Sequence, residues 1–279
     1  MLLYTFEIQF PCTLTEKIKI YRFGHLAGSA GLNHFVSLRK GGISKGKYSS
    51  LNLGLHTGDE KSNVLRNREL LAKTMGFSVD DFVFAGQVHS DQIAIVGNAE
   101  RGSGVWEADS CIHETDAMIT NQAGICLMVL VADCVPVLLY DPKKRVIAAI
   151  HAGRKGTESL IVLKTVDRMK QQYGCSAKDI LAGIGPSIGP CCYEVEDKVA
   201  GQFSQSLEQF EGLVLRQQEG HKPHLDLWKA NQLQLLASGI LPESIETAGI
   251  CTQCNEQDYF SYRVGEGMTG RFAAGICLL

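Results

Sequence analysis

Short apolar runs separated by turn residues recur along the chain and predict a core of buried β-strands. ICLMVLV (125–131), VPVLLY (135–140) and VIAAI (146–150) are the clearest, because nearly every position in them is apolar. Such runs are typical of strands covered on both faces, since a strand with one wet face alternates apolar and polar residues. Further strands are predicted at 81–90, 116–120, 246–252 and 270–279, and from 179 into a Gly/Pro-rich turn that ends at 195.

A helical spacing replaces these runs in four other parts of the chain. In 157–174 apolar residues recur every three or four positions, with Thr157 as the expected N-cap and Gly174 as the stop. Helices are also predicted at 62–76, 195–210 and 225–239. The alternation of strands and helices, without repeats or linkers, predicts one α/β domain over residues 1–279, with a mixed β-sheet core flanked by helices.

Two of the apolar runs are joined by DPKKR (141–145), a sequence typical of a tight turn. We therefore predict a hairpin, in which the start of the first strand lies beside the end of the second. Cys134 comes just before the first run and His151 just after the second. These two side chains should meet at one edge of the sheet.

His89, at the end of the strand predicted at 81–90, is a third candidate ligand. Zinc binds N and S ligands tetrahedrally, and a catalytic zinc keeps its fourth position open, so His89, Cys134 and His151 suit such a site. The same atoms also suit a metal-free cysteine nucleophile activated by an adjacent imidazole. Spacing alone separates neither hypothesis from a third, in which the three side chains are ordinary interior residues.

Composition and charge narrow the class of protein. The net charge of −3, the pI of about 6.2 and the lack of a dominant basic patch argue against a nucleic-acid partner. No apolar run approaches the roughly 18 residues of a membrane span, and the N-terminus lacks the pattern of a signal peptide. The ten cysteines are therefore expected to stay reduced in the cytoplasm.

Two further cysteine groups are expected to be structural. Cys191 and Cys192 are adjacent, and on an extended chain their side chains point to different sides, which makes them a poor chelate for one ion. The cysteines of CTQC (251–254) have no second C-x-x-C to complete a zinc site, so we expect a loop without a metal role. Copper is less expected than zinc, because eight histidines without an H-x-H pair are too few for several copper ions.

Taken together, the motifs resemble one known family. GGISKGKYSSLNLGLHTGD, QVH, ADCVPVLLYDP, HAG, IGPSIGPCCYEV, LDLWKAN, FSYR and TGR occur in this order over nearly the whole chain. This pattern is similar to the laccase-domain family, also called the polyphenol-oxidase or purine nucleoside phosphorylase family, which includes the bacterial peptidoglycan editing factor. The resemblance implies an α/β domain with zinc bound by His89, Cys134 and His151.

The resemblance also implies activity on purine nucleosides. The reactions are phosphorolysis of adenosine, inosine and methylthioadenosine, with phosphate as second substrate, and deamination of adenosine. For deamination, Asp133 beside Cys134 is a candidate proton shuttle.

Phosphorolysis requires groups that hold phosphate and protonate the departing base. Arg66, Ser44 in the Gly/Ser-rich loop 41–50, and Arg263 are candidate phosphate ligands, since a guanidinium fork suits phosphate. His56 is a candidate proton donor. Neither the preferred nucleoside nor the oligomeric state follows from the sequence.

Two motifs depart from the family pattern. HAGWRGT becomes HAGRKGT, with Arg154 in place of Trp and Lys155 in place of Arg, and FSYRRDG becomes FSYRVGEG. The first change removes an aromatic surface for a base and adds a cation that favours an anionic substrate. Two alternatives therefore stay open. One is a Cys134–His151 amidase or hydrolase acting on peptidoglycan precursors, and the other is a non-catalytic zinc-binding module.

Overall fold

Two six-stranded sheets, each with parallel and antiparallel pairs, form the centre of the protein. The structure is a computed structural model that describes residues 3–5, 17–215 and 221–279, so Cys12 lies outside the described residues. The first sheet has the strand order β1 (Leu3–Thr5), β2 (Lys19–Tyr21), β3 (Leu32–Ser37), β14 (Phe272–Leu278), β7 (Cys126–Val131) and β4 (Phe82–Phe84). The second has the order β13 (Ile245–Thr247), β10 (Leu181–Ile184), β8 (Val135–Asp141), β9 (Val146–Ala152), β6 (Ala117–Thr120) and β5 (Ile93–Ile95). The strands β11 (Val214–Leu215) and β12 (His224–Leu225) pair separately.

Helices cover the outer faces of both sheets. The helices are α1 (Gly24–Ala27), α2 (Lys61–Met75), α3 (Arg154–Glu158), α4 (Ile161–Tyr173), α5 (Asp197–Ser206) and α6 (Leu227–Ala237). The short α1 differs, because its Leu26 packs in the layer between the two sheets. Leu71 of α2 packs on the first sheet, while Val166 of α4 and Phe203 of α5 pack on the second. Leu127 and Leu138 belong to the apolar layer between the two sheets. The predicted α/β class with mixed sheets flanked by helices is confirmed.

The predicted hairpin is also confirmed. In the β8–β9 register Val135 pairs with Ala152 and Pro136 with His151, so Cys134 lies beside the end of β9. Every residue of both strands is buried, because helices cover one face of the second sheet and the first sheet covers the other. Among the described residues, no helix has the length and apolar character needed to cross a membrane.

The strand predicted at 81–90 is too long. It ends at Phe84, and the side chain of Gln87 takes over the pairing with β7, donating to Leu130 O at 2.7 Å and accepting from Leu130 N at 2.8 Å. The chain is thereby released into a loop in which His89 has a φ of 62°. That loop leads from β4 in the first sheet to β5 in the second.

The helix predicted at 157–174 is two helices, because Leu160 interrupts it with a φ of 61°. Thr157 is a buried residue of α3 rather than an N-cap, and Gly174 ends α4 as predicted. The first residue of α3, Arg154, is separated from the end of β9 by Gly153 alone.

Candidate functional site

A thiol and two imidazoles converge where the chain passes between the sheets. The ligand atoms of His89, Cys134 and His151 all lie within 4.8 Å of one another. Cys134 Sγ is 3.7 Å from His89 Nε2, and the two imidazole rings meet edge to face with centroids 4.8 Å apart. His151 is buried and His89 is exposed. The β8–β9 hairpin brings two of these residues together, and the β4–β5 loop supplies the third.

Asp116, at the start of the β6 segment, organises this cluster. Its Oδ1 lies 2.7 Å from His151 Nδ1 and accepts the backbone N–H of His89 at 3.0 Å. Its Oδ2 accepts the backbone N–H and the hydroxyl of Ser90 at 2.7 and 2.8 Å. One carboxylate therefore orients the ring of one histidine and the backbone of the other. Asp116 is not predicted from the sequence, because its position beside His151 depends on the pairing of β6 with β9.

The protonation states within the cluster depend on one another. Burial opposes ionisation of the Cys134 thiol, but the charge and hydrogen bond of His151, and the hydrogen bond of His89, lower its pKa to about 6. Burial also opposes protonation of His151, yet the Cys134 thiolate and the Asp116 carboxylate raise its pKa to about 9. Near neutral pH the metal-free pair is therefore a thiolate beside an imidazolium.

These residues fit a metal. A thiolate and two imidazoles are typical zinc ligands, and the contact of Asp116 with His151 Nδ1 leaves His151 Nε2 free to coordinate. Gly153 allows the close approach, because a Cβ there would lie 2.8 Å from His89 Cδ2 and 3.1 Å from Cys134 Sγ. Three protein ligands beside an open cavity leave a coordination position for a further ligand.

The cavity beside the cluster has a volume of about 890 Å³, which suits a small-molecule ligand. Its wall includes all three candidate ligands and four arginines, Arg68, Arg154, Arg263 and Arg271. Arginines in a concave site favour an anionic ligand such as phosphate.

Two predicted residues, His56 and Asp133, also line the cavity. The His56 side chain is open to the cavity, but the surrounding protein and the charges of Arg271 and Arg68 lower its pKa to about 4. It is therefore neutral at pH 7. Both Asp133 oxygens are occupied: Oδ1 accepts from Thr252 Oγ1 at 2.6 Å, and Oδ2 accepts from the Arg263 backbone N–H at 2.7 Å.

Arg66 and Ser44, which are predicted to bind phosphate, do not line this cavity. Arg66 is exposed and pairs with Glu69 at 2.8 Å. Residues two apart point to different sides of a helix, so Arg68, rather than Arg66, reaches the cavity. Ser44 is buried and donates to Asp59 Oδ2 at 2.6 Å, so it stabilises its own loop.

The four cavity arginines differ in how free they are to bind a ligand. The Arg68 guanidinium donates hydrogen bonds to backbone carbonyls, including Leu53 O at 2.9 Å and Gly104 O at 2.6 Å. Arg154 pairs with Glu158 at 2.6 Å. Arg263 is exposed, and its Nη1 donates to Glu194 O at 3.1 Å. Arg271 Nη1 donates to Thr269 O and Gly270 O, both at 3.0 Å. Of the three predicted phosphate ligands, Arg263 is the one that lines the cavity.

Comparisons with known proteins find relatives that match most of this chain. A protein named "Purine nucleoside phosphorylase" from Bacteroides thetaiotaomicron is 36% identical over 266 residues, covering 95% of this chain and 98% of that protein. "Adenosine deaminase RL5", from an unknown prokaryotic organism, is 33% identical over 246 residues, covering 88% and 94%. The crystal structure of YlmD from Geobacillus stearothermophilus has a TM-score of 0.86 and 36% identity, covering 89% of this chain and 92% of that one.

The family model described as "Multi-copper polyphenol oxidoreductase laccase" matches residues 33–279, a range that contains the whole cluster and every cavity residue named above. The relatives named above cover nearly the full chain as well. The chain therefore belongs to the laccase-like family that also contains proteins named purine nucleoside phosphorylase.

Proposed function

We propose that the protein is a zinc-dependent purine nucleoside enzyme. Phosphorolysis of adenosine, inosine and methylthioadenosine is its first activity, and deamination of adenosine its second. The observation that carries the proposal is one cavity with a His–Cys–His set and several arginines on its wall, which is suited to an anionic co-substrate. The names of the relatives support both reactions.

The chain's own residues have separate tasks in this proposal. Arg263, with Arg271 beside it in the cavity wall, holds phosphate near the sugar. His56 is neutral, so it serves as a hydrogen-bonding group rather than as the proton donor expected from its residue type. The thiolate of Cys134 and the Nε2 atoms of both histidines hold zinc, which supplies Lewis-acid chemistry when bound.

Zinc fits this set better than copper. A His–Cys–His set supplies the N and S donors that zinc takes, with a fourth position left open, whereas several copper ions require many more histidines than the eight in this chain. Asp133 stays a proposed proton shuttle for deamination, but its hydrogen bonds to Thr252 and Arg263 also give it an anchoring role.

A second candidate function rests on the protonation state of Cys134. A thiolate beside an imidazolium on a cavity wall also suits a cysteine amidase or hydrolase acting on peptidoglycan precursors. In that case Cys134 attacks the substrate carbonyl and binds no metal. A non-catalytic zinc-binding module is the third alternative, which predicts bound zinc without turnover.

Incubation of the purified protein with adenosine, with and without phosphate, followed by chromatography, tests the proposed reactions. Adenine and ribose 1-phosphate formed only with phosphate establish phosphorolysis, and inosine in both samples establishes deamination. No product from adenosine, inosine or methylthioadenosine with zinc-loaded protein contradicts the proposal.

The role of Cys134 is tested separately. We expect Cys134→Ala to lose both zinc and activity, because it removes a ligand. Alkylation of Cys134 in the parent protein should become fast only after chelation. An inactive Cys134→Ala variant that keeps full zinc content at this cluster would contradict the assignment of the thiol as a ligand.

A further inference from the structure

A second thiol cluster lies outside the cavity wall. The sulfurs of Cys191, Cys192, Cys251 and Cys254 all lie within 4.8 Å of one another. Cys254 Sγ is 3.6 Å from Cys191 Sγ and 3.4 Å from Cys192 Sγ. Two of these cysteines come from the turn after β10 and two from the loop after β13, so the cluster joins two segments distant in sequence.

The expectation that adjacent Cys191 and Cys192 point apart is wrong, because the chain there is a turn. The N–H groups of Cys192 and Tyr193 both donate to Gly189 O at 3.0 Å. This curled backbone directs both sulfurs towards Cys254. The two cysteines of CTQC therefore lie beside the adjacent residues Cys191 and Cys192. A search for a second C-x-x-C motif does not find this pattern.

The spacing of the four sulfurs suits one tetrahedral ion. Zn–S bonds of about 2.3 Å place ligand sulfurs about 3.8 Å apart, close to the two distances above. Gly189 also contributes, since its N–H donates to Cys251 Sγ at 3.3 Å, as N–H groups do to metal-bound thiolates. A Cβ at Gly189 would lie 2.7 Å from the Trp228 ring and 3.2 Å from Cys191 Sγ, so the backbone approaches as only glycine allows.

We propose that Cys191, Cys192, Cys251 and Cys254 form a closed, structural site for Zn²⁺, distinct from the His89–Cys134–His151 cluster. Binding replaces the thiol protons, which pass to the buffer, with four Zn–S bonds and no change in oxidation state.

The proposed site lies next to residues that form part of the cavity wall. Ile188, three residues before Cys191, lines the cavity, and its N–H donates to Asp133 O at 2.9 Å. Tyr193, directly after Cys192, also lines the cavity. On the other segment Thr252, next to Cys251, donates to Asp133 Oδ1. An ion in the thiol cluster therefore fixes the backbone that carries part of the cavity wall.

Metal content of the whole protein, reconstituted with Zn²⁺ under reducing conditions, tests the proposal. We expect two ions per chain in the parent protein and one in Cys134→Ala. The double variant Cys192→Ser/Cys254→Ser should also hold one, and Cys111→Ser, which changes a half-buried thiol elsewhere, should hold two.

Cobalt gives an independent readout of the ligands. In the Cys134→Ala background, Co²⁺ in the thiol cluster should show strong thiolate-to-metal charge transfer and tetrahedral d–d bands. Both signals should vanish when Cys192→Ser/Cys254→Ser is added. A Cys134→Ala protein that is fully reduced and folded, yet shows neither signal and binds no ion, overturns the proposal. Because this readout needs no nucleoside, it is independent of the outcome of the activity assay.

Discussion

Asp116 shows how much of the candidate site depends on a single side chain. It is buried and accepts hydrogen bonds from the His151 ring, from the His89 and Ser90 backbones, and from the Ser90 hydroxyl. Burial alone would raise its pKa, but these interactions lower the pKa to about 2. The carboxylate therefore stays charged at pH values above about 2, and it orients both histidines.

We expect Asp116→Asn to weaken zinc binding at the His89–Cys134–His151 cluster by about 10- to 100-fold, because a carboxylate hydrogen-bonded to a metal-binding histidine changes metal affinity by this amount. Competition with a chromophoric chelator measures the affinity. Asp109→Asn, on an exposed 3-10 turn, is the matched control and should leave it unchanged. Equal affinities in Asp116→Asn and the parent protein would refute the positioning role.

The arginines give a second residue-scale prediction. Removing Arg263 should raise the KM for phosphate by roughly 10- to 100-fold, since hydrogen bonds to charged groups contribute about 1.5–3 kcal/mol. Arg66→Ala removes a guanidinium from the exposed face of α2 and should have no effect. Steady-state phosphorolysis at varied phosphate compares the two. A parallel loss in both variants would show that long-range charge, and not a contact, is responsible.

Single residues also show what the sequence could predict. Cys134 and His151 were predicted to meet because hairpin topology follows from two apolar runs and a turn. The sequence does not distinguish Arg68 from Arg66 as the arginine that reaches the cavity, because it does not show which side of α2 faces the first sheet. Asp116 and the four-thiol cluster both depend on contacts between distant segments, which a single sequence does not contain.

At the scale of elements, the break between α3 and α4 is held by α6. The buried amide of Gln234 donates to Thr157 O at 2.9 Å and accepts from Leu163 N at 3.4 Å, so it satisfies backbone groups on both sides of Leu160. The apolar spacing of 157–174 runs through the break without interruption, which is why the sequence predicts one helix. The residue that stabilises the break, Gln234, lies on α6, about 70 residues further along the chain.

We expect Gln234→Ala to lower the free energy of unfolding by about 1–3 kcal/mol, because it leaves the Leu163 N–H without a partner and removes one of the two hydrogen bonds to Thr157 O. Denaturant titration measures this change, and zinc content should stay constant. Gln232→Ala, on the exposed side of the same helix, is the control and should differ little from the parent protein. A loss no larger than the control's would mean that the break does not need α6.

At the scale of the whole molecule, helix, sheet, sheet and helix form four layers with three apolar interfaces. His34 of β3 is wholly buried among them, and its Nε2 accepts the Phe23 N–H at 2.9 Å. Burial, with the charges of Arg22 and His25, lowers its pKa to about 3. This histidine is neutral in the folded protein at all pH values above that.

The acid stability of the protein should reflect His34. Between pH 6.5 and about 3 the unfolded chain binds a proton at His34 that the folded chain does not, so stability falls as pH falls through this window. One such group contributes a slope of at most about 1.4 kcal/mol per pH unit. His34→Gln, which retains an acceptor for Phe23, should reduce the slope measured by denaturant titration from pH 6.5 to 4.5. The exposed His221→Gln should not, and identical slopes in all three proteins would refute the assignment.

The two chain segments that cross from the first sheet to the second near the cavity each carry a candidate ligand: His89 lies between β4 and β5, and Cys134 between β7 and β8. An ion bound by both residues would crosslink the two sheets. The two sheets could then separate only after a metal–ligand bond had broken. Amide hydrogen exchange should consequently slow on both sides of the sandwich when metal is added, far beyond the residues that touch it.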